Sequence, residues 1–250
     1  MAESHGHSPL DQFKIAKLHE LHVAGLDVSI TNSTVVMVLA IVLVTLFLTM
    51  GVRRRAMVPG RWQAMAELSY EFVGNMIRDN VGNEGRRFFP FVFTLFMFVL
   101  FGNLLGLVPY SFTFTSHLAV TAALAVLVIV LVTAVGLVLH GLHFFSFFVP
   151  KGVPIVMMPL MIPIEVISYL SRPVSLSIRL FANMMAGHTM MKVFAGFVVT
   201  LGAATYGVGA IAPLAMSVAL TGFELLVAFL QAYVFTVLTC LYLNDAIHLH

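Results

Sequence analysis

STVVMVLAIVLVTLFLTMGV, residues Ser33 to Val52, contains no Asp, Glu, Lys or Arg. About 20 apolar residues are enough to carry a helix across the hydrocarbon core of a bilayer. The run stops at Arg53-Arg54-Arg55, a block of charge that a segment entering lipid cannot carry along. Working outward from it, a second charge-free stretch extends from Phe88 to Pro150. Over the whole chain 60% of residues are hydrophobic and 10% charged, with a mean hydropathy of +1.00. A soluble domain carries about a quarter charged residues, so that class is excluded. The reading is an all-α membrane protein. The single cysteine, Cys240, rules out a disulfide framework and a cysteine-built metal site, and reads as a small packed side chain.

The chain divides into a polar tail over residues 1–30 and one membrane domain over 31–250. Spans are expected at about 33–52, 91–108, 118–139, 155–201 and 208–243. The tail holds His5, His7, His19 and His22, which could bind metal but read more simply as part of an exposed, flexible segment. It lacks a basic start followed by an apolar core and a cleavage site, so no signal peptide is expected. Breaks are read at Pro59-Gly60, Pro109, Pro150-Lys151-Gly152 and Gly202 to Gly209. Between Arg61 and Val81, Trp62, Met65, Leu68, Phe72 and Met76 alternate with Gln63, Glu67, Glu71, Asn75 and Arg78. That pattern is amphipathic and too polar to span, and predicts a helix on the membrane surface. Seven of the thirteen Lys and Arg residues fall between Arg53 and Arg87, which makes that loop cytoplasmic. Five crossings then put the amino terminus outside and the carboxyl terminus inside.

The last two segments exceed a simple crossing. About 36 helical residues reach roughly 54 Å, against a core of about 30 Å. A long, strongly tilted hairpin is therefore expected, with Pro159, Pro163 and Pro173 permitting bends.

On the fourth span Glu165, Ser168, Arg172, Ser175, Arg179 and Asn183 follow one another at 3, 4, 3, 4 and 4 residues, and so share a face. On the fifth, Ser217, Glu224 and Gln231 repeat every seven residues. Charge at membrane depth costs about 2.5–3.5 kcal/mol per arginine on the insertion scale, and therefore faces a partner, a pore or water. The serines read as interhelical hydrogen bonders; Arg172 could pair with a neighbour, and Glu224 could be a structural partner of Arg179. A guanidinium keeps its proton, so Arg179 cannot relay one, but it can hold a carboxylate ionised. Glu165, His188 and Glu224 can relay. A fixed cation flanked by titratable groups at different depths reads as two proton half-paths with a barrier between them. His188, nine residues from Arg179, falls half a turn off the stripe; it serves another face, or Gly187 allows the helix to distort.

Ser171-Arg172-Pro173-Val174-Ser175-Leu176-Ser177-Ile178-Arg179-Leu180-Phe181-Ala182-Asn183-Met184-Met185-Ala186-Gly187-His188 resembles the signature of subunit a of F-type ATP synthases. Phe101-Gly102-Asn103-Leu104-Leu105-Gly106-Leu107-Val108-Pro109 and Leu230-Gln231-Ala232-Tyr233-Val234-Phe235-Thr236-Val237-Leu238-Thr239 resemble it too, and the likeness runs from about Arg61 to Asp245. The resemblance implies a non-catalytic stator in the ATP synthase membrane sector, without a cofactor or resident metal. It implies as partners a rotating ring of small hairpin subunits bearing one carboxylate each, b-type peripheral-stalk subunits, the remaining synthase subunits and membrane lipid, and no nucleic acid. Arg179 would face the ring carboxylate, with Asn183 and Gln231 as polar neighbours. Glu224 and His188 would line access from outside, and Glu165 with Ser168 the exit to the cytoplasm. Arg172, Ser175 and Ser217 would form a secondary polar seam. The placing of acid and imidazole resembles the alphaproteobacterial and mitochondrial pattern, not the enterobacterial one. Gly106 stands where some relatives carry an acid and is given no role. The implied location is the bacterial inner membrane, with the mitochondrial inner membrane as the alternative.

An ion-coupled secondary transporter is the rival reading. It would show two similar halves with broken helices between them, and no such repeat is read. A haem protein would need histidines at matching depth, whereas His140 and His143 lie near a helix end. A hydrolase would need a serine beside a base, whereas Ser168 and Ser175 neighbour arginine.

Overall fold

The structure is a computed structural model describing residues 17–19, 22–23, 26–27, 29–53, 59–108, 112–141, 143–144 and 157–248. Among them are six α-helices: α1 (Asn32–Arg53), α2 (Arg61–Val81), α3 (Phe89–Gly106), α4 (Leu118–His140), α5 (Met158–Ala204) and α6 (Ile211–Ile247). Five helical stretches are long and apolar enough to cross a membrane; α2 is the helix outside that set. The protein is of the all-α membrane class that its composition required. Ahead of α1, strands of two or three residues pair antiparallel, β1 (Lys17–His19) with β4 (Ile30–Thr31) and β2 (His22–Val23) with β3 (Leu26–Asp27). Pieces this short have no readable periodicity, so the sequence gives no hint of them. His5 and His7 lie outside the described residues, as do Arg54, Arg55, Pro109 and the Pro150-Lys151-Gly152 break.

Backbone chemistry explains the element ends. Gly60 precedes α2 in an extended conformation, and α2 stops at Gly82, whose φ of 79° suits a residue without a side chain. The amide of Gly82 donates to Arg78 O at 3.1 Å, closing the last turn. A 3₁₀ segment, Asn83–Phe88, leads directly into α3. Helix α5 is continuous over 47 residues and runs on through Pro163 and Pro173. Several hydroxyls within the apolar helices donate to their own backbone: Thr45 to Ile41 O at 2.8 Å, Thr94 to Pro90 O at 2.7 Å and Thr133 to Ile129 O at 2.6 Å.

Two compact units make up the chain. The first comprises residues 1–45, 98–117 and 181–231. Phe114 is fully buried there, and a side chain at Gly102 would run into its ring. The second comprises residues 46–97, 118–180 and 232–250. Its interior includes Val73, Ile77, Val92 and Phe96, and the Phe72 ring lies 5.6 Å from Phe96 and 5.8 Å from Tyr233. Within it a Cβ on Gly51 would lie 2.6 Å from Ala66 Cβ, so α1 and α2 approach closely there. Elsewhere Val38, Ile41, Leu46, Val130 and Val138 are exposed, an apolar surface suited to lipid or protein partners.

Candidate functional site

Helix α5 divides the predicted stripe by environment. Ser168, Ser175, Arg179 and Asn183 are exposed, while Glu165 and Arg172 are half-buried. Arg179 makes no ion pair among the described residues. Arg172 behaves differently. Its Nη1 donates to Asp245 Oδ2 at 2.9 Å, and the guanidinium lies 5.6 Å from the Tyr169 ring and 5.1 Å from the Tyr242 ring. Tyr169 is itself held, with its hydroxyl 2.6 Å from Thr133 Oγ1. A cation between an acid and two aromatic faces is neutralised where it stands. Arg172 therefore joins α5 to the end of α6 within the second unit.

The first unit gathers a different set. Asn183 reaches across to α6 and donates from Nδ2 to Gln231 Oε1 at 2.8 Å. Gln231 is buried, and its Nε2 has no hydrogen-bond partner among the described residues. Glu224, two turns earlier on α6, is also buried, and neither carboxyl oxygen has such a partner. Its carboxyl lies against Gly187: a Cβ there would fall on Oε1 and lie 2.9 Å from Cδ. The helix stays regular through Gly187, so this glycine provides room for Glu224 rather than a distortion. His188 is buried, and its Nε2 lies 3.2 Å from Thr113 Oγ1. Thr113 in turn sits where a side chain at Gly106 would be, with a Cβ there 2.6 Å from its Cγ2. Gly106, given no role from sequence, makes space for the residue that holds His188. Ser217 donates to Pro213 O at 2.9 Å within its own helix, the ordinary structural use of a serine.

Three participants escaped the sequence reading. Asn103 donates to Ala228 O at 3.3 Å and leaves Oδ1 buried without a partner. An amide inside a charge-free run was the available signal, because such groups at membrane depth need a partner. Asp245 could have been sought as a partner for Arg172. Thr113 gave no signal at all, since its position depends on how the chain turns before α4.

Buried polar atoms without partners are costly in an apolar setting unless water or another group meets them. Glu224 Oε1 and Oε2, Gln231 Nε2 and Asn103 Oδ1 are four such atoms in one unit. Water or a mobile proton carrier could meet all of them. Among the described residues no group of three or more His, Cys, Asp or Glu could hold a metal ion.

Residues 34–244 match the family model described as "ATP synthase A chain". A protein of Rhodospirillum rubrum named ATP synthase subunit a is 57% identical over 244 residues, which cover 98% of this chain and 100% of that one. The subunit a of Mesorhizobium japonicum is 60% identical over 242 residues, 96% of each chain. That of Acidiphilium cryptum is 55% identical over 253 residues and covers both chains fully.

Proposed function

The chain belongs to the ATP synthase A chain family, and from that footing we propose that it is the proton-translocating, non-catalytic stator subunit of the synthase's membrane sector. It works against a ring of carboxylate-bearing hairpin subunits, held by b-type stalk subunits and the rest of the complex in a bacterial inner membrane. Its amino terminus faces outward and its carboxyl terminus the cytoplasm.

The observation that carries the mechanism is the exposure of Arg179 without an ion pair among the described residues. A permanent cation on an apolar helix calls for an anion from outside the chain, and a ring carboxylate supplies one. On the outer side, Glu224 and His188 deliver protons and the Asn183–Gln231 pair orients the last step. On the inner side, Glu165 and Ser168 receive them. Arg179 keeps these half-paths apart by repelling protons in transit, and it favours the ionised form of an arriving ring carboxylate. That carboxylate leaves only after reprotonation from the other half-path, so flow is tied to rotation.

A membrane potential of about 100 mV is worth about 2.3 kcal/mol per charge, enough to drive a leak once the barrier is lost. Arg179→Ala should abolish ATP synthesis and raise passive proton permeability in reconstituted vesicles. Arg179→Lys should also fail at synthesis but leak less, since lysine keeps a cation but sheds it more readily and lacks the planar fork. An Arg179→Ala complex that assembles and synthesises ATP at the wild-type rate defeats the mechanism.

A further inference from the structure

The second unit contains a groove of about 680 Å³ between α2 and the start of α3, and none of its lining residues has been given a role in proton transfer. Arg78 and Arg86 line it, both exposed and neither in an ion pair among the described residues. Uncompensated guanidiniums facing one groove favour an anion, and their planar forks suit the paired oxygens of a phosphodiester. Tyr70 and Phe89 line the groove as well, and their rings belong to an aromatic cluster that includes Phe93. Tyr70 lies 4.4 Å from Phe89 and 6.1 Å from Phe93, and Phe89 stacks on Phe93 at 5.4 Å. The groove also straddles the point at which the charge-free run from Phe88 begins, so one end is polar and the other compatible with hydrocarbon. Helix α2 is amphipathic, and tyrosine favours the interfacial depth that this arrangement defines. Glu71 and Asn83 complete the polar end. The carboxylate limits the net charge to one positive unit, which excludes a dense polyanion and provides an acceptor for hydroxyl groups.

The geometry points to this groove as the binding site for one anionic glycerophospholipid. Its phosphodiester lies between Arg78 and Arg86, its headgroup hydroxyls against Glu71 and Asn83, and an acyl chain along the Tyr70 and Phe89 rings. Basic groups at a membrane surface draw anionic lipids in this way. Arg87 supplies an internal control: it is the next residue along, with the same charge, but lines a separate and largely apolar groove against α4.

The test weighs the full-length chain by native mass spectrometry in micelles doped with phosphatidylglycerol. One lipid should be retained per chain, with affinity about tenfold lower in Arg78→Gln or Arg86→Gln and lower still in the pair. Arg87→Gln should remain within about twofold of wild type. Equal retention of phosphatidylcholine, or an equal loss in Arg87→Gln, overturns the proposal as non-specific adhesion. Displacement by glycerol phosphate at matched concentration overturns it in favour of a soluble anion. In the assembled synthase, a photo-crosslinker in place of Asn83 should tag lipid; capture of a stalk polypeptide instead assigns the groove to a protein and overturns the proposal.

Discussion

The carboxyl group of Glu224 fills the space in which a side chain at Gly187 would begin. A titratable group on α6 is thus seated against bare backbone of α5, one residue from His188. The absence of one methyl group leaves the carboxyl its place against the helix that carries the imidazole.

Gly187→Ala tests that seat. Alanine favours a helix over glycine by about 1 kcal/mol, and the obstructing atoms are the far end of a flexible side chain, so folding should survive. The carboxyl must move, and a shift of about 1 Å in a working group can cost about a hundredfold in rate. Immunoblots should show normal subunit levels while proton-driven ATP synthesis falls at least about tenfold. Wild-type synthesis in this variant would mean that the position of Glu224 does not matter.

Glu224→Gln keeps the shape of the side chain and removes its titration. Assembly should persist and ATP synthesis should collapse. If acid and imidazole act as a coupled pair, His188→Glu with Glu224→His should recover more activity than either single change. Full activity in Glu224→Gln would return the residue to a packing role.

The pair Arg172–Asp245 makes a stability prediction. Its side chains are 22% and 34% exposed, so solvent screens part of the attraction. The tyrosine faces on either side of Arg172 add cation–π attraction. Asp245→Asn should cost about 1 kcal/mol in detergent unfolding. Reversing the pair (Arg172→Asp with Asp245→Arg) should recover only part of the loss, because the tyrosines would then lack a cation between them. A double-mutant cycle with no coupling would show the ion pair to be idle.

Topology can be read by thiol labelling. Cys240 is fully buried, so its background should be low. A cysteine at Gly60, where nothing lies within 4 Å of an added Cβ, should label only from the cytoplasmic side. One at Ser4 should label from outside. The reverse pattern would exchange the access and exit paths.

Composition and periodicity carried the fold. The arginine block after Val52 and the charge-free run from Phe88 mark helix ends, and the mixed polarity of residues 61–81 separates α2 from the five apolar stretches. Spacing put Arg172 and Arg179 on one face of α5, and the face is common to both. What it could not convey is that Asp245 draws one guanidinium aside and leaves the other open. Such pairing depends on the end of α6, more than seventy residues away in sequence. Gly106 and Gly187 were opaque for a related reason: their value is volume left for Thr113 and Glu224, and an absent side chain leaves no pattern.

Helix α5 also behaves as a beam. Arg172 is fastened to Asp245, and Arg179 stands seven residues, about 10 Å, further along the same helix, which runs on past Pro173 although that residue has no amide hydrogen to donate. A sideways load applied to Arg179 meets an anchored lever with a short overhang, and the recoil passes into the end of α6. Loosening that anchor would make the arm compliant, so Asp245→Asn should blunt the torque delivered per proton before it abolishes proton movement.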